Sequence, residues 1–263
     1  MSYLRHSWPL TLLFAVSLPI FIWIRWEPAP WVISQLAGLP LSISGIEKYW
    51  AGLRLHDVVI RPPGIAPQQL QRVDITPAWR SLLRGAIGVD VYFRGRDAQG
   101  EIWIASREDR LRLQAVDIRL GMRRLLHVPG MLVPGGDIHL SGDVLLDMQT
   151  YTPLTGHLGM QWIGATLRIG DQPMHLGDYR LDVEHKPDGW RWHITGGTAV
   201  TAEGSGKLVP DGRLGMWRLE GDMVLAGPAL ADMPGMEGHR GRMRLRIRGR
   251  LMRPSIQLQP RQT

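Results

Sequence analysis

Beyond residue 50, apolar side chains recur at every second position, and a chain patterned that way buries one side only as a β-sheet. Leu53 and Leu55 open the series, Val58 and Ile60 follow after a shift of one, and Val89, Val91, Phe93, Ile102, Ile104, Leu111 and Leu113 continue it. Turn-forming clusters punctuate the alternation. Lys186-Pro187-Asp188-Gly189 predicts a hairpin joining Tyr179, Leu181 and Val183 to Trp190, Trp192 and Ile194, and Val209-Pro210-Asp211-Gly212 predicts a second. Helical signals are few. Thr76 as N-cap, Pro77 in first position and Gly85 as terminator predict a two-turn helix, and a weaker one is predicted over 120–127. Val73-Asp74-Ile75 and Val116-Asp117-Ile118 resemble each other enough to read as one unit repeated or as chance similarity.

The start of the chain obeys a different rule. Residues 7–24 contain no Asp, Glu, Lys or Arg, and such a run spans about 27 Å as a helix, close to the ~30 Å hydrocarbon core of a bilayer. Trp8, Trp23 and Trp26 stand at its ends, where indole prefers the headgroup zone, and Arg25 reaches water beyond it. A cleaved secretory signal is disfavoured, because Arg25-Trp26-Glu27-Pro28 offers none of the small residues a cleavage site needs. The expected organisation is a cytoplasmic N-terminus (1–6), a transmembrane anchor (7–26), a short juxtamembrane helix within 30–37 and a β-rich domain (30–263). The expected fold class is therefore mainly β: one N-terminal transmembrane helix, then an elongated, curved antiparallel sheet with short helices.

Composition narrows the chemistry. There is no cysteine, which removes disulfides and thiolate metal sites, and the net charge of +7 is carried almost wholly by arginine. The nine histidines form no i, i+4 pair, so no zinc site is preformed. Gly204-Ser205-Gly206-Lys207 fails as a phosphate loop, since Thr201 stands where its first glycine belongs and Leu208 where a hydroxyl must meet magnesium. No nucleophile elbow occurs. The sequence therefore calls for no catalytic residue, cofactor or metal. Nucleic acid is disfavoured too, because the basic residues alternate with aliphatic ones and lack the aromatic signature of an RNA-reading sheet.

One segment concentrates charge. In residues 240–251 every even position is arginine: Arg240, Arg242, Arg244, Arg246, Arg248 and Arg250, with Met243, Leu245 and Ile247 among the residues between. As a strand this gives one guanidinium row and one apolar row. The cationic row reads either as a solvated face that discourages edge pairing or as a docking stripe for anionic lipid or an acidic partner. The apolar row belongs to a packed core or to an open groove holding an apolar ligand.

Two stretches carry a family likeness. Gly52-Leu53-Arg54-Leu55-His56-Asp57-Val58 and Pro77-Ala78-Trp79-Arg80-Ser81-Leu82-Leu83-Arg84-Gly85, with a glycine-rich middle and a closing Leu245-Arg246-Ile247-Arg248-Gly249-Arg250-Leu251, resemble the type II secretion system protein N family. AsmA-like bridge proteins share the first two phrases. The resemblance implies a non-enzymatic, single-pass inner-membrane protein, its bulk in the periplasm, serving the export machinery and contacting other secretion-system subunits and the lipid bilayer. A lipid-binding or lipid-transfer groove of the AsmA-like or lipopolysaccharide-transport kind is the alternative.

Overall fold

The computed structural model describes residues 41–49, 52–61, 67–121, 132–150, 152–169, 172–210, 217–232, 241–250 and 253–258. The transmembrane anchor with Trp8, Trp23, Arg25 and Trp26, the juxtamembrane helix, and Arg240 lie outside the described residues. Among those described, no helix is long and apolar enough to cross a membrane.

Fifteen strands form one open antiparallel sheet: β1 (Leu41–Ser42), β2 (Gly45–Tyr49), β3 (Gly52–Ile60), β4 (Gln68–Pro77), β5 (Ile87–Gly95), β6 (Ala98–Arg107), β7 (Arg110–Gly121), β8 (Leu132–Asp147), β9 (Pro153–Ile169), β10 (Gln172–Lys186), β11 (Gly189–Gly196), β12 (Thr201–Pro210), β13 (Trp217–Ala226), β14 (Arg242–Arg250) and β15 (Arg253–Leu258). From β3 onward each strand pairs with the next in sequence, while β1 and β2 share the free edge of β3. The order is a pure meander, the outcome of alternation interrupted by short turns. The predicted hairpin at 186–189 forms, with Val183 opposite Trp192 and Leu181 opposite Ile194.

Bulges bend the sheet near its start. Asp57 and Asp117 adopt φ of 47°, a left-handed conformation that aspartate tolerates better than most residues. Asp117 sits where pairing slips, between Ala115 and Ile118 on β7, whereas Asp57 lies within an unbroken register, with His56 opposite Arg72 and Val58 opposite Leu70. Further on, β4 and β6 approach within 8 Å across the intervening β5, closer than the ~9.6 Å of two flat strand spacings. The two similar segments at 73–75 and 116–118 are both strand, but only the second carries a bulge.

The helical expectations need correction. The short helix α1 covers only Trp79–Leu82, its N-cap is Ala78 with no side-chain cap, and Pro77 is the last residue of β4, opposite Val89. Proline is tolerated at a strand terminus, and here pairing across the sheet outweighs the local Thr-Pro signal. Leu120 and Gly121, expected in a second helix, finish β7, and the rest of that segment lies outside the described residues. A 3-10 turn, Pro228–Asp232, is the other helical piece among the described residues.

Candidate interaction surfaces

Cross-strand pairing places the alternating apolar residues in one continuous row. Leu53, Ile75, Val91 and Ile102 face one another in succession across β3–β6, and Ala115 and Gly142 carry the row over β7 and β8. Leu158, Val183 and Trp192 extend it to β11, and Gly206, Gly221 and Ile247 take it to β14. Twelve strands thus contribute one uncharged residue each to a line along one side of the sheet. No second sheet covers this side among the described residues. It stays partly wet in the middle, where Leu158 is 44% exposed.

The two ends of the row are filled differently. Near the start, Leu53, Leu55, Val58, Leu70, Val73 and Ala98 form a buried aliphatic cluster, flanked by Ile46, Phe93 and Leu120. Toward the other end aromatic rings lie over glycines. A Cβ at Gly206 or Gly221 would come within 2.6 or 2.4 Å of the Trp192 indole, so these glycines make the shelf on which that ring rests. This is the role of the segment that fails as a phosphate loop. The ring polar atoms donate to backbone carbonyls: Trp162 Nε1 to Gly135 at 2.8 Å, Tyr179 Oη to Val200 at 2.6 Å and Trp192 Nε1 to Glu220 at 3.3 Å. A buried aromatic with a polar tip needs such a partner. Burial also raises the Tyr179 pKa above that of free phenol. The 3-10 turn closes this end, with Leu230 fully buried against Ala165, Leu176 and Val200.

Met243, Leu245 and Ile247 fall on the apolar side as buried residues opposite Leu225, Met223 and Gly221. Arg242, Arg244, Arg246 and Arg248 occupy the reverse side. Arg246 donates to Asp222 at 3.3 Å, whereas Arg242, Arg244 and Arg248 make no ion pair among the described residues. The backbone of Arg250 belongs to β14, and its side chain is not among those described.

Elsewhere the polar side is a mosaic of paired charges. Asp74 accepts from Arg54 at 2.7 Å and Arg72 at 2.6 Å; burial works against its charged form, but these two hydrogen bonds prevail and lower its pKa. Arg112 likewise holds the Asp143 carboxyl below the ordinary carboxylate range. In the hairpin turn between β10 and β11, the guanidinium of Arg191, with Lys207 nearby, pulls Asp188 down to about 2. A shallow depression of about 540 Å³ is lined by Arg72, Asp74, Tyr92, Arg94, Glu101 and Asp117. Its Asp74 and Asp117 are already engaged by Arg54, Arg72 and Arg119, an arrangement that stabilises charge rather than moving protons. Among the described residues no three His, Asp or Glu side chains are placed to hold a metal ion.

Sequence reasoning missed one surface. On α1 the buried residue is the polar one: Ser81 is 1% exposed and its Oγ accepts from Trp103 Nε1 at 3.1 Å. Trp79, Leu82 and Leu83 instead face solvent, joined by Ile87. The signal was present in the spacing, since Ser81 sits centrally among four apolar neighbours, but only the partner Trp103 twenty-two residues away reveals which side is down.

These features define a class: a mainly β protein whose described residues form one open antiparallel sheet. A family model for type II secretion system (T2SS), protein N, matches residues 56–239, well over half of the chain. The chain belongs to that family, an accessory family of the secretion system. No curated protein and no solved structure matches it.

Proposed function

We propose that the protein acts by contact rather than catalysis, as a single-pass inner-membrane accessory of the type II secretion system whose β-domain stands in the periplasm and binds other subunits. Its family supports the accessory role and is consistent with the inner membrane. The observation that carries the contact reading is the uncharged row crossing twelve strands with no covering layer among the described residues. Apolar surface of that length is stabilised by whatever covers it. In vivo cross-linking from exposed positions such as Leu158, followed by co-purification, is expected to recover secretion components. Normal secretion in a deletion strain together with an empty cross-link defeats this reading.

A second reading concerns what else covers the row. Its uncharged lining, open near Leu158, also suits acyl chains, as in an AsmA-like groove, with Arg242, Arg244 and Arg248, which make no ion pair among the described residues, on the reverse side available to anionic headgroups or acidic protein. Mass spectrometry of the protein purified in mild detergent decides it: co-purifying lipid supports the groove, and consistently lipid-free protein removes it.

A further inference from the structure

From the inverted helix α1 we infer that residues 79–87 form a membrane-contacting knob, a small rigid projection that seats in the headgroup layer of an anionic bilayer. Four hydrogen bonds wind this segment into one body: Leu83 N to Trp79 O, Arg84 N to Ser81 O, Gly85 N to Leu82 O and Ala86 N to Ser81 O, at 3.4, 3.0, 3.0 and 2.9 Å. Its base is pinned to the sheet. Ala78 N donates to Gly88 O at 2.9 Å, and Ala78, Trp103 and Ala105 make a private core beneath it. The fold therefore does not leave these apolar groups exposed through looseness; it holds them outward. Trp79 is 70%, Leu82 51%, Leu83 91% and Ile87 75% exposed.

Chemistry favours lipid over a protein pocket. The side chains project singly, so they can enter a fluid surface without needing a matching cavity, and tryptophan with leucine beside arginine is the composition the interface selects. Residues 76–89 contain Arg80 and Arg84 and no acidic residue. Arg80 leans on Asp90 at 3.4 Å, while Arg84 makes no ion pair among the described residues and is free to meet phosphate. Reach is sufficient. The knob stands at the end of β4, about 30 Å along its ten residues from the level of Leu41. The fourteen residues 27–40 between the expected anchor and β1 span at most about 46 Å. The inference rests on the tethered reading for that proximity.

The absence of cysteine makes the test direct. Full-length protein carrying Leu83→Cys with an environment-sensitive dye is reconstituted into phosphatidylcholine vesicles with or without phosphatidylglycerol, some lipids bearing spin-label quenchers. The dye is expected to be quenched when phosphatidylglycerol is present, and Arg84→Glu is expected to weaken that association at least about fivefold. A dye on Glu203→Cys, exposed on β12, reports water throughout. Protein that floats with vesicles while the dye at 83 stays wet overturns the knob and leaves the tether standing. Protein that does not float overturns the tether and the contact with it. Shielding of the dye only after purified secretion subunits are added overturns the lipid assignment in favour of a protein partner.

Discussion

Leu55 and Trp192 are equally buried, each 5% exposed on the same side of one sheet, yet they are buried by different means. Around Leu55 the sheet is pinched and branched aliphatic chains interlock. Around Trp192 one broad ring spreads over Gly206 and Gly221 and anchors its nitrogen on the Glu220 carbonyl. A single-layer sheet has no facing layer to complete its core, so it must either bend until neighbouring side chains cover one another or lay large flat groups along its own surface. The first solution uses the bulges of β4 and β7, Asp117 among them. The second uses glycine.

Substitutions should separate the two. Trp192→Ala removes the ring that covers its own shelf and is expected to cost about 3–5 kcal/mol, with amide exchange accelerated in β11–β13 and unchanged in β3–β6. Because strands make most of their contacts with their immediate neighbours, exchange that rises everywhere would show that the sheet unfolds as one unit instead. Leu55→Ala should cost about 3 kcal/mol, confined to the opposite end. Combined with Trp192→Ala it should be additive within ~0.5 kcal/mol, and stronger coupling would tie the two regions together. Gly221→Ala is expected to lose about 1–3 kcal/mol through overpacking. Part of that loss should return in a Trp192→Val background, which urea titration of the four variants measures.

Smaller effects probe the polar side. Ser81→Ala leaves the Trp103 indole nitrogen without its acceptor and should cost about 1–2 kcal/mol, read as a lower midpoint of unfolding near α1. The smallest effect is in the turn beyond Trp192. Asp188 titrates at about 2 in the fold, against 3.8 as the ordinary value. Its contribution is complete above 3.8 and fades as pH falls toward 2. A carboxyl chemical-shift titration should find that depressed midpoint in the native protein, and Arg191→Ala should return it toward 3.8.

Local pattern carried far. Alternation at Leu53, Val91, Ile102 and Leu113 specifies strands without reference to anything distant, because side-chain direction follows residue number. The Lys186-Pro187-Asp188-Gly189 turn specifies its hairpin for the same reason. The row of Met243, Leu245 and Ile247 and its arginine counterpart were legible too. Short motifs around Gly52 and Ser81 pointed to the family that the match over residues 56–239 shows.

Other features are relations between residues far apart in sequence, and no local rule contains them. Pro77 looks like a helix start until its strand is seen paired with β5. Ser81 looks like a solvent-facing residue until Trp103 closes over it. Gly206 and Gly221 look like weak points in strands until an indole from β11 occupies their space. Strand identity and charge alternation were set by the order of residues alone; which side of α1 faces outward, and which glycines serve as a shelf, were decided only when the meander brought its neighbours within van der Waals reach.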